Sequence, residues 1–246
     1  MTTSTTYPPW KNVFPGCELA DIRGFLKTDE YLRSIVQQGK FVLSQFAESP
    51  NKDEVLDELR WRHYLVYWSA LYAAQNTATS KKNYAECGVC DGLTIFYAIN
   101  AAKTVSNDSA AYLYDAWEEM KAEYLLPSEL GSAGAYSYLS IEQTRKNLID
   151  HREMVIFNKG YLPGSLQISE NPKTIIWLHI DLNSATPTEE SLEYFYDKLV
   201  AGGVVLLDDY GWAGYTDTKR VVDRFFVNKE ANLLQLPTGQ AMVFKR

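Results

Sequence analysis

Residues 83–94 read NYAECGVCDGLT, and the reading of this stretch decides the fold. Cys87 and Cys90 form a C-x-x-C pair, the spacing of a redox dithiol or of half a zinc site. Gly88 and Gly92 form a glycine loop after a short apolar run, the spacing of a turn that passes close to a ligand. A zinc site needs about four ligands. Only Cys17 and three scattered histidines, His63, His151 and His179, remain to complete one. The glycine loop is therefore the reading carried forward. It is not a dinucleotide fingerprint, because Gly88-Val89-Cys90-Asp91-Gly92 does not space its glycines as G-x-G-x-x-G. Nor is it a P-loop, since no G-K-[ST] follows.

Outward from the loop, short apolar runs alternate with helical patterns. Strands are expected at Asn83–Cys87, Ala110–Asp115, Met154–Phe157, Thr174–Asp181 and from Val204. Helices are expected at Leu93–Ala102, Ile141–His151 and Asp217–Phe226. Thr186-Pro187-Thr188-Glu189 reads as a capping box opening a helix to about Val200, with Gly202-Gly203 closing it. Residues 233–245 read as a terminal hairpin. This alternation predicts an α/β fold, a mostly parallel Rossmann-like sheet with an antiparallel hairpin at its end. Upstream, short helical pieces near Asp29–Phe46 precede a long helix over Asp53–Gln75. The expected division is an N-terminal helical appendage over 1–80, acting as a lid or an oligomer contact, and a catalytic domain over 81–246.

In open α/β sheets ligands bind at the carboxyl ends of strands. Those ends carry Glu86, Asp115, Asp181 and the pair Asp208-Asp209. Strand, acid, any residue, Gly, three residues, Gly, helix is similar to the loop of S-adenosylmethionine (SAM) methyltransferases. In that reading the glycines let the backbone pass under the methionine part, and the helix N-terminus meets its carboxylate. Glu86 orients the ammonium, and Asp115 accepts the ribose hydroxyls. Thr94, Ala116 and Trp117 complete the expected cofactor set. Asp181, Asp208 and Asp209 form an acidic cluster at adjacent strand ends. Such carboxylates repel one another unless a cation or a proton intervenes, and all-oxygen donors suit Mg²⁺. His179 shares a strand face with Asp181; it either points into the pocket or is a packed, hydrogen-bonded histidine. Tyr210, Trp212 and Tyr215 either wall a substrate site or pack the loop. Arg60 and Arg62 read as a solvated helix face, and His63 and His151 as structural or exposed.

The sequence also resembles a known family, the macrocin O-methyltransferase-like enzymes. The loop ECGVCDGLT resembles the family's E-T-G-V-W-R-G-G. YDAWEEM (114–120) and VIFNKGYLPGSL (155–166) resemble two further family blocks. LHIDLNSATPTEESLEYFYDKLVAGGVVLLDDYGW (178–212) is similar to the block from L-R-I-D-x-D-x-Y-x-S-T to D-D-Y. The resemblance spans about 83–226. It implies SAM- and Mg²⁺-dependent methylation of a hydroxyl on a sugar or glycosylated natural product. It also implies metal-ligand positions for Asp181, Asp208 and Asp209, and a general-base role for Asp181. The chain departs from the pattern at Asp91 and His179, which stand for arginines, and at Asn183, which stands for an aspartate.

Composition limits the alternatives. The net charge is -7, with no run of Lys or Arg, so a nucleic-acid partner is not expected. No apolar stretch is long enough to cross a bilayer. The Thr-rich start lacks the pattern of a signal peptide, which makes the cytoplasm the default location. The expected partner is a small-molecule hydroxyl acceptor. A homo-oligomer is compatible with the aromatic-rich long helix. Two competing readings stay open: a metal-dependent glycosyltransferase and a decayed SAM-binding module.

Overall fold

The computed structural model of the chain describes residues 19–167 and 170–246. Readings that rest on Met1–Trp10 and on Cys17 lie outside the described residues. Among the described residues seven strands form one sheet: β1 (Lys82–Cys87), β2 (Ser109–Asp115), β3 (Val155–Lys159), β4 (Ile175–Ile180), β5 (Leu199–Leu207), β6 (Leu233–Gln235) and β7 (Ala241–Phe244). Their order is β3-β2-β1-β4-β5-β7-β6. The first five are mutually parallel, and β7 runs antiparallel to both β5 and β6. The chain reverses its winding direction between β1 and β4. That is the switch point, where a crevice opens at the strands' carboxyl ends.

Among the described residues six α-helices cover the sheet: α1 (Phe25–Gln37), α2 (Lys52–Asn76), α3 (Leu93–Lys103), α4 (Ile141–Asn147), α5 (Ala185–Phe195) and α6 (Thr216–Phe226). One core lies between the sheet and α1, α2 and α3; the other lies between the sheet and α5 and α6. β1 and β4 are buried along their whole length, as strands covered on both faces must be. Asn51 caps α2, its side chain accepting from the amides of Asp53 and Glu54. Leu56, Leu59, His63, Val66, Tyr67, Ala70 and Ala74 then recur at helical spacing on its buried face. Trp177 of β4 donates its Nε1–H to Ser69 Oγ of α2 at 2.9 Å, which pins the long helix to the middle of the sheet.

Two local expectations are corrected. The capping box at Thr186 does not form, because α5 already begins at Ala185 with Ser184 as its N-cap. The orphan amide of Ala185 is met from a distance by Glu129 Oε1 at 2.8 Å, while Ser184 Oγ donates to Glu129 Oε2. Gly202-Gly203 does not close a helix; it lies inside β5, beside a register irregularity against β4. A Cβ on Gly202 would stand 2.5 Å from the carbonyl oxygen of Asn76, so this glycine is where the end of α2 meets the strand. Among the described residues no helix is long and apolar enough to cross a membrane.

Candidate active site

The glycine loop exists because two strand ends meet there. Gly88 has φ +86°, and a Cβ on it would stand 1.7 Å from the carbonyl oxygen of Asp181. The Asp181 amide donates to the Cys87 carbonyl at 2.8 Å, so the ends of β1 and β4 are stitched together at this point. Only glycine allows that approach. The loop is then held by Asp115. Its Oδ2 accepts the amides of Val89 (2.7 Å) and Cys90 (2.9 Å), and its Oδ1 accepts that of Trp117 (2.6 Å). Burial raises the Asp115 pKa, and these amides oppose the rise. The carboxylate expected at the ribose is thus first a clamp on the loop, with lone pairs left for a ligand.

The strand ends open on a cavity of about 400 Å³, a size suited to a small molecule. Gly88, Thr94, Asp115 and Ala116 line one part, and Asp181, Asp208, Asp209 and Trp212 another. Tyr124, Tyr136, Tyr161 and Tyr215 add an aromatic wall that the sequence did not single out, apart from Tyr215. Glu86, Gly92, Trp117, His179 and Tyr210 are not among the lining residues. Tyr210 packs its loop, donating its hydroxyl to Asp223 Oδ1 at 2.6 Å. Trp117 donates its indole N–H to the Cys90 carbonyl, which braces the glycine loop from behind. Cys87 and Cys90 are free thiols, and burial pushes the pKa of both well up, so neither is a ready nucleophile.

Behind the acids, His179 is fully buried. Its Nδ1 lies 2.8 Å from Glu86 Oε1 and its Nε2 3.8 Å from Asp208 Oδ1. Burial would lower its pKa, but the neighbouring carboxylates of Asp208 and Glu86 prevail and hold it up at about 9. Burial raises the Glu86 pKa, against the pull of His179. Glu86, expected at the SAM ammonium, is therefore the partner of His179.

The acidic cluster holds the main surprise. Arg62, read as solvent-facing, reaches from α2 into it and is only 13% exposed. Its Nε lies 2.8 Å from Asp208 Oδ1, and its Nη2 lies 2.6 Å from Asp181 Oδ2 and 2.8 Å from Asp208 Oδ2. Gln240 also donates to Asp208 Oδ1, at 2.9 Å. Asp209 turns aside, its Oδ2 accepting the Asn183 amide at 2.7 Å. Burial raises the Asp181 pKa to about 6, helped by Asp208 and opposed by Arg62. Asp208 is drawn the other way: burial would raise it, but Arg62 and His179 hold it below the usual carboxylate range. Arg60, the other arginine read as solvated, pairs with buried Asp29 at 3.1 Å.

His179, Asp181 and Asp208 bring possible ligand atoms within 4.8 Å of one another, and the two carboxylates, though not the protonated imidazole, suit a hard cation. The arrangement does not. Both oxygens of Asp208 and Oδ2 of Asp181 are engaged by a guanidinium. A divalent ion held about 4 Å from that charge meets repulsion of roughly 8 kcal/mol at an effective dielectric of 20. The Mg²⁺ inferred from the sequence does not fit while Arg62 stands there.

Residues 73–237 match the macrocin-O-methyltransferase (TylF) family. The chain belongs to that family. It is accordingly a SAM-dependent O-methyltransferase, and the glycosyltransferase alternative falls away. Among curated proteins none matches. Among solved structures, the O-methyltransferase NovP is similar at 18% identity, with a TM-score of 0.63 over 75% of this chain and 79% of that one. CalS11, described as calicheamicin methyltransferase, is similar at 15% identity, with a TM-score of 0.56 over 94% of this chain and 99% of that one. SAH-bound PaMTH1 of Podospora anserina gives 12% identity and 0.51, over 94% and 91%. At these identities the likeness concerns the fold, and it places this TylF-family enzyme's sheet with the class I SAM methyltransferases.

Proposed function

We propose that this TylF-family enzyme methylates a hydroxyl of a sugar or of a glycosylated natural product, with Asp181 as its general base. The observation that carries the reading is the contact between Gly88 and Asp181. It brings the loop assigned to SAM and the acid assigned to the acceptor to the wall of one cavity. Gly88, Thr94, Asp115 and Ala116 would hold SAM, with the N-terminus of α3 toward its carboxylate. Bound there, SAM supplies a methyl group that moves from sulfur to the acceptor oxygen; the C–S bond breaks as the O–C bond forms, leaving S-adenosylhomocysteine.

The protein's own part is to place the hydroxyl and take its proton. A sugar hydroxyl is a weak nucleophile near neutral pH, so a base within reach lowers the barrier. Asp181, with its pKa raised to about 6 by burial and by Asp208, is ionised at neutral pH and still basic enough to accept a proton. Holding the two reactants in one cavity supplies much of the rest of the rate. Tyr124 and Tyr161 stack at 4.8 Å beside this space, a flat wall of the type that receives sugar and ring faces. A sugar acceptor also agrees with CalS11, described as a TDP-rhamnose 3'-O-methyltransferase. Leu59 and Arg62 of α2 line the cavity, which supports an acceptor-side role for that helix.

The test is calorimetry with SAM, followed by mass spectrometry of methyl-labelled SAM with a panel of free and glycosylated acceptors. Label on a sugar hydroxyl supports the proposal. SAM binding with label only on phenols or amines would falsify the acceptor assignment.

A further inference from the structure

Resting on the methyl-transfer reading above, we infer that Arg62 is the resident cation of this active site. Its guanidinium holds the place between Asp181 and Asp208 that a divalent metal would need, and methyl transfer runs without one.

The first support is geometry. Nε and Nη2 form a two-pronged contact with Asp208, at 2.8 Å on each oxygen, and Nη2 also reaches Asp181 at 2.6 Å. A planar fork facing a carboxylate is the contact that arginine makes and lysine cannot copy. Three of the guanidinium's five N–H donors are used in this way, and among the described residues the two on Nη1 carry no hydrogen bond.

The second support is delivery. Arg62 is not on a free-moving loop. It sits in mid-helix, flanked along α2 by buried Leu59, His63 and Val66, and the helix is pinned to β4 through Ser69 and Trp177. The charge therefore arrives at a fixed point with its long stem packed. The third support is permanence. An arginine does not lose its proton in proteins, so the positive charge stays at any working pH.

A cation at this place has two tasks: to keep Asp181 and Asp208 from repelling each other, and to hold the acceptor oxygen beside Asp181. Arg62 performs the first in the structure and has the donors left for the second.

The experiment uses the full chain, stripped with chelator, and Mn²⁺ alone as the probe, read by electron paramagnetic resonance. SAM calorimetry runs in parallel. The wild type should bind SAM and should take up Mn²⁺ no more tightly than about millimolar, far below a built metal site. Arg62→Ala frees the acids and should tighten Mn²⁺ at least about tenfold. Arg62→Lys keeps the charge and should stay near the wild type in Mn²⁺ binding. With an acceptor in hand, wild-type turnover should be equal in EDTA and in Mg²⁺. Arg62→Ala should lose about a hundredfold or more, and Mn²⁺ should restore part of it. Stoichiometric micromolar Mn²⁺ binding by the wild type, or turnover abolished by EDTA, overturns the inference. If Arg62→Ala does not fold, the wild-type titration and Arg62→Lys decide. Failure to bind SAM would count against the functional reading itself and leave the Mn²⁺ result standing.

Discussion

The two halves of the cavity are built by different means. Where β1 and β2 end, the backbone does the holding. Asp115 gathers three amides from residues no more than 26 positions away, and Gly88 is shaped by its approach to β4. Where β4 and β5 end, side chains do it. Arg62 bridges to Asp181 and Asp208 across 119 and 146 positions, and Gln240 reaches Asp208 from the far hairpin. The first half hangs on two positions, the Asp115 carboxylate that gathers the amides and the bare Gly88 that meets β4. A side-chain-built half depends on the whole fold being in register.

The largest effect should come from breaking the backbone half. Gly88→Ala drives a Cβ into the Asp181 carbonyl at a positive φ, costing at least about 3 kcal/mol. Since that contact joins the halves, SAM binding and methyl transfer should fall together, with a lower denaturation midpoint. An alanine variant with wild-type SAM affinity by calorimetry would disprove the close approach.

The next pair of substitutions separates the halves. Asp115→Ala releases three amides and should weaken SAM binding by about 10- to 100-fold. Asp181→Asn should lower turnover by about 10² to 10⁴ while leaving SAM affinity within about threefold. Calorimetry and single-turnover assays on the same preparations check both, and equal losses in both variants would erase the distinction.

Acid should cost stability in the helical layer beside the two halves. His151 is buried, with Lys103 Nζ at 2.6 Å from its Nδ1, and burial followed by Lys103 lowers its pKa to about 4. His63 of α2, stacked on Tyr97 of α3, is also lowered, by burial first and then by Arg62. In the unfolded chain both protonate near pH 6.5, so the unfolded state binds more protons below that point. Stability is complete above about pH 6.5 and is lost as pH falls toward about 4, by on the order of 3 kcal/mol for His151. Urea midpoints across that range should drop, and His151→Gln should flatten part of the slope.

The smallest effect is reserved for the cysteines. Cys87→Ser with Cys90→Ser should keep SAM affinity within about threefold, because the Asp115 clamp uses the backbone of residue 90 and not its sulfur. Stoichiometric zinc in the purified wild type would revive the dithiol reading.

How much of this was legible follows the same division. The strands, the glycine loop and the acids at strand ends are written in short periodic runs, and the observed sheet keeps them within a few residues. The local misreadings arose where two signals competed. Ser184 and Thr186 both suit a helix start, and the earlier one prevails because Glu129, far off in the chain, meets the first amide. Gly202-Gly203 looks like a helix stop, but its glycines serve the packing of α2 on β5. Arg62 left no local mark at all. On its helix it differs from Arg60 only in direction, and each finds a buried acid that sequence spacing cannot reveal. Glu86 and His179 were singled out separately, but that they pair with each other is visible only once β1 lies beside β4.

Asp208 carries one further consequence, for the order in which the chain matures. Its side chain is held by Arg62 of the second helix and by Gln240 of the closing hairpin, and its amide by the Ile180 carbonyl that ends β4. During synthesis Arg62 emerges early and waits 119 residues for its first acid, and Gln240 follows Asp208 by another 32. Loop closure over such separations is the slow part of folding. The amides of Val89, Cys90 and Trp117 can meet Asp115 soon after β2 forms, but the Gly88 turn waits for β4 and the last contact on Asp208 waits for residue 240. Until then the nascent chain lacks the last side chain that holds Asp208, so the part of the cavity drawn from distant segments is the last to be assembled.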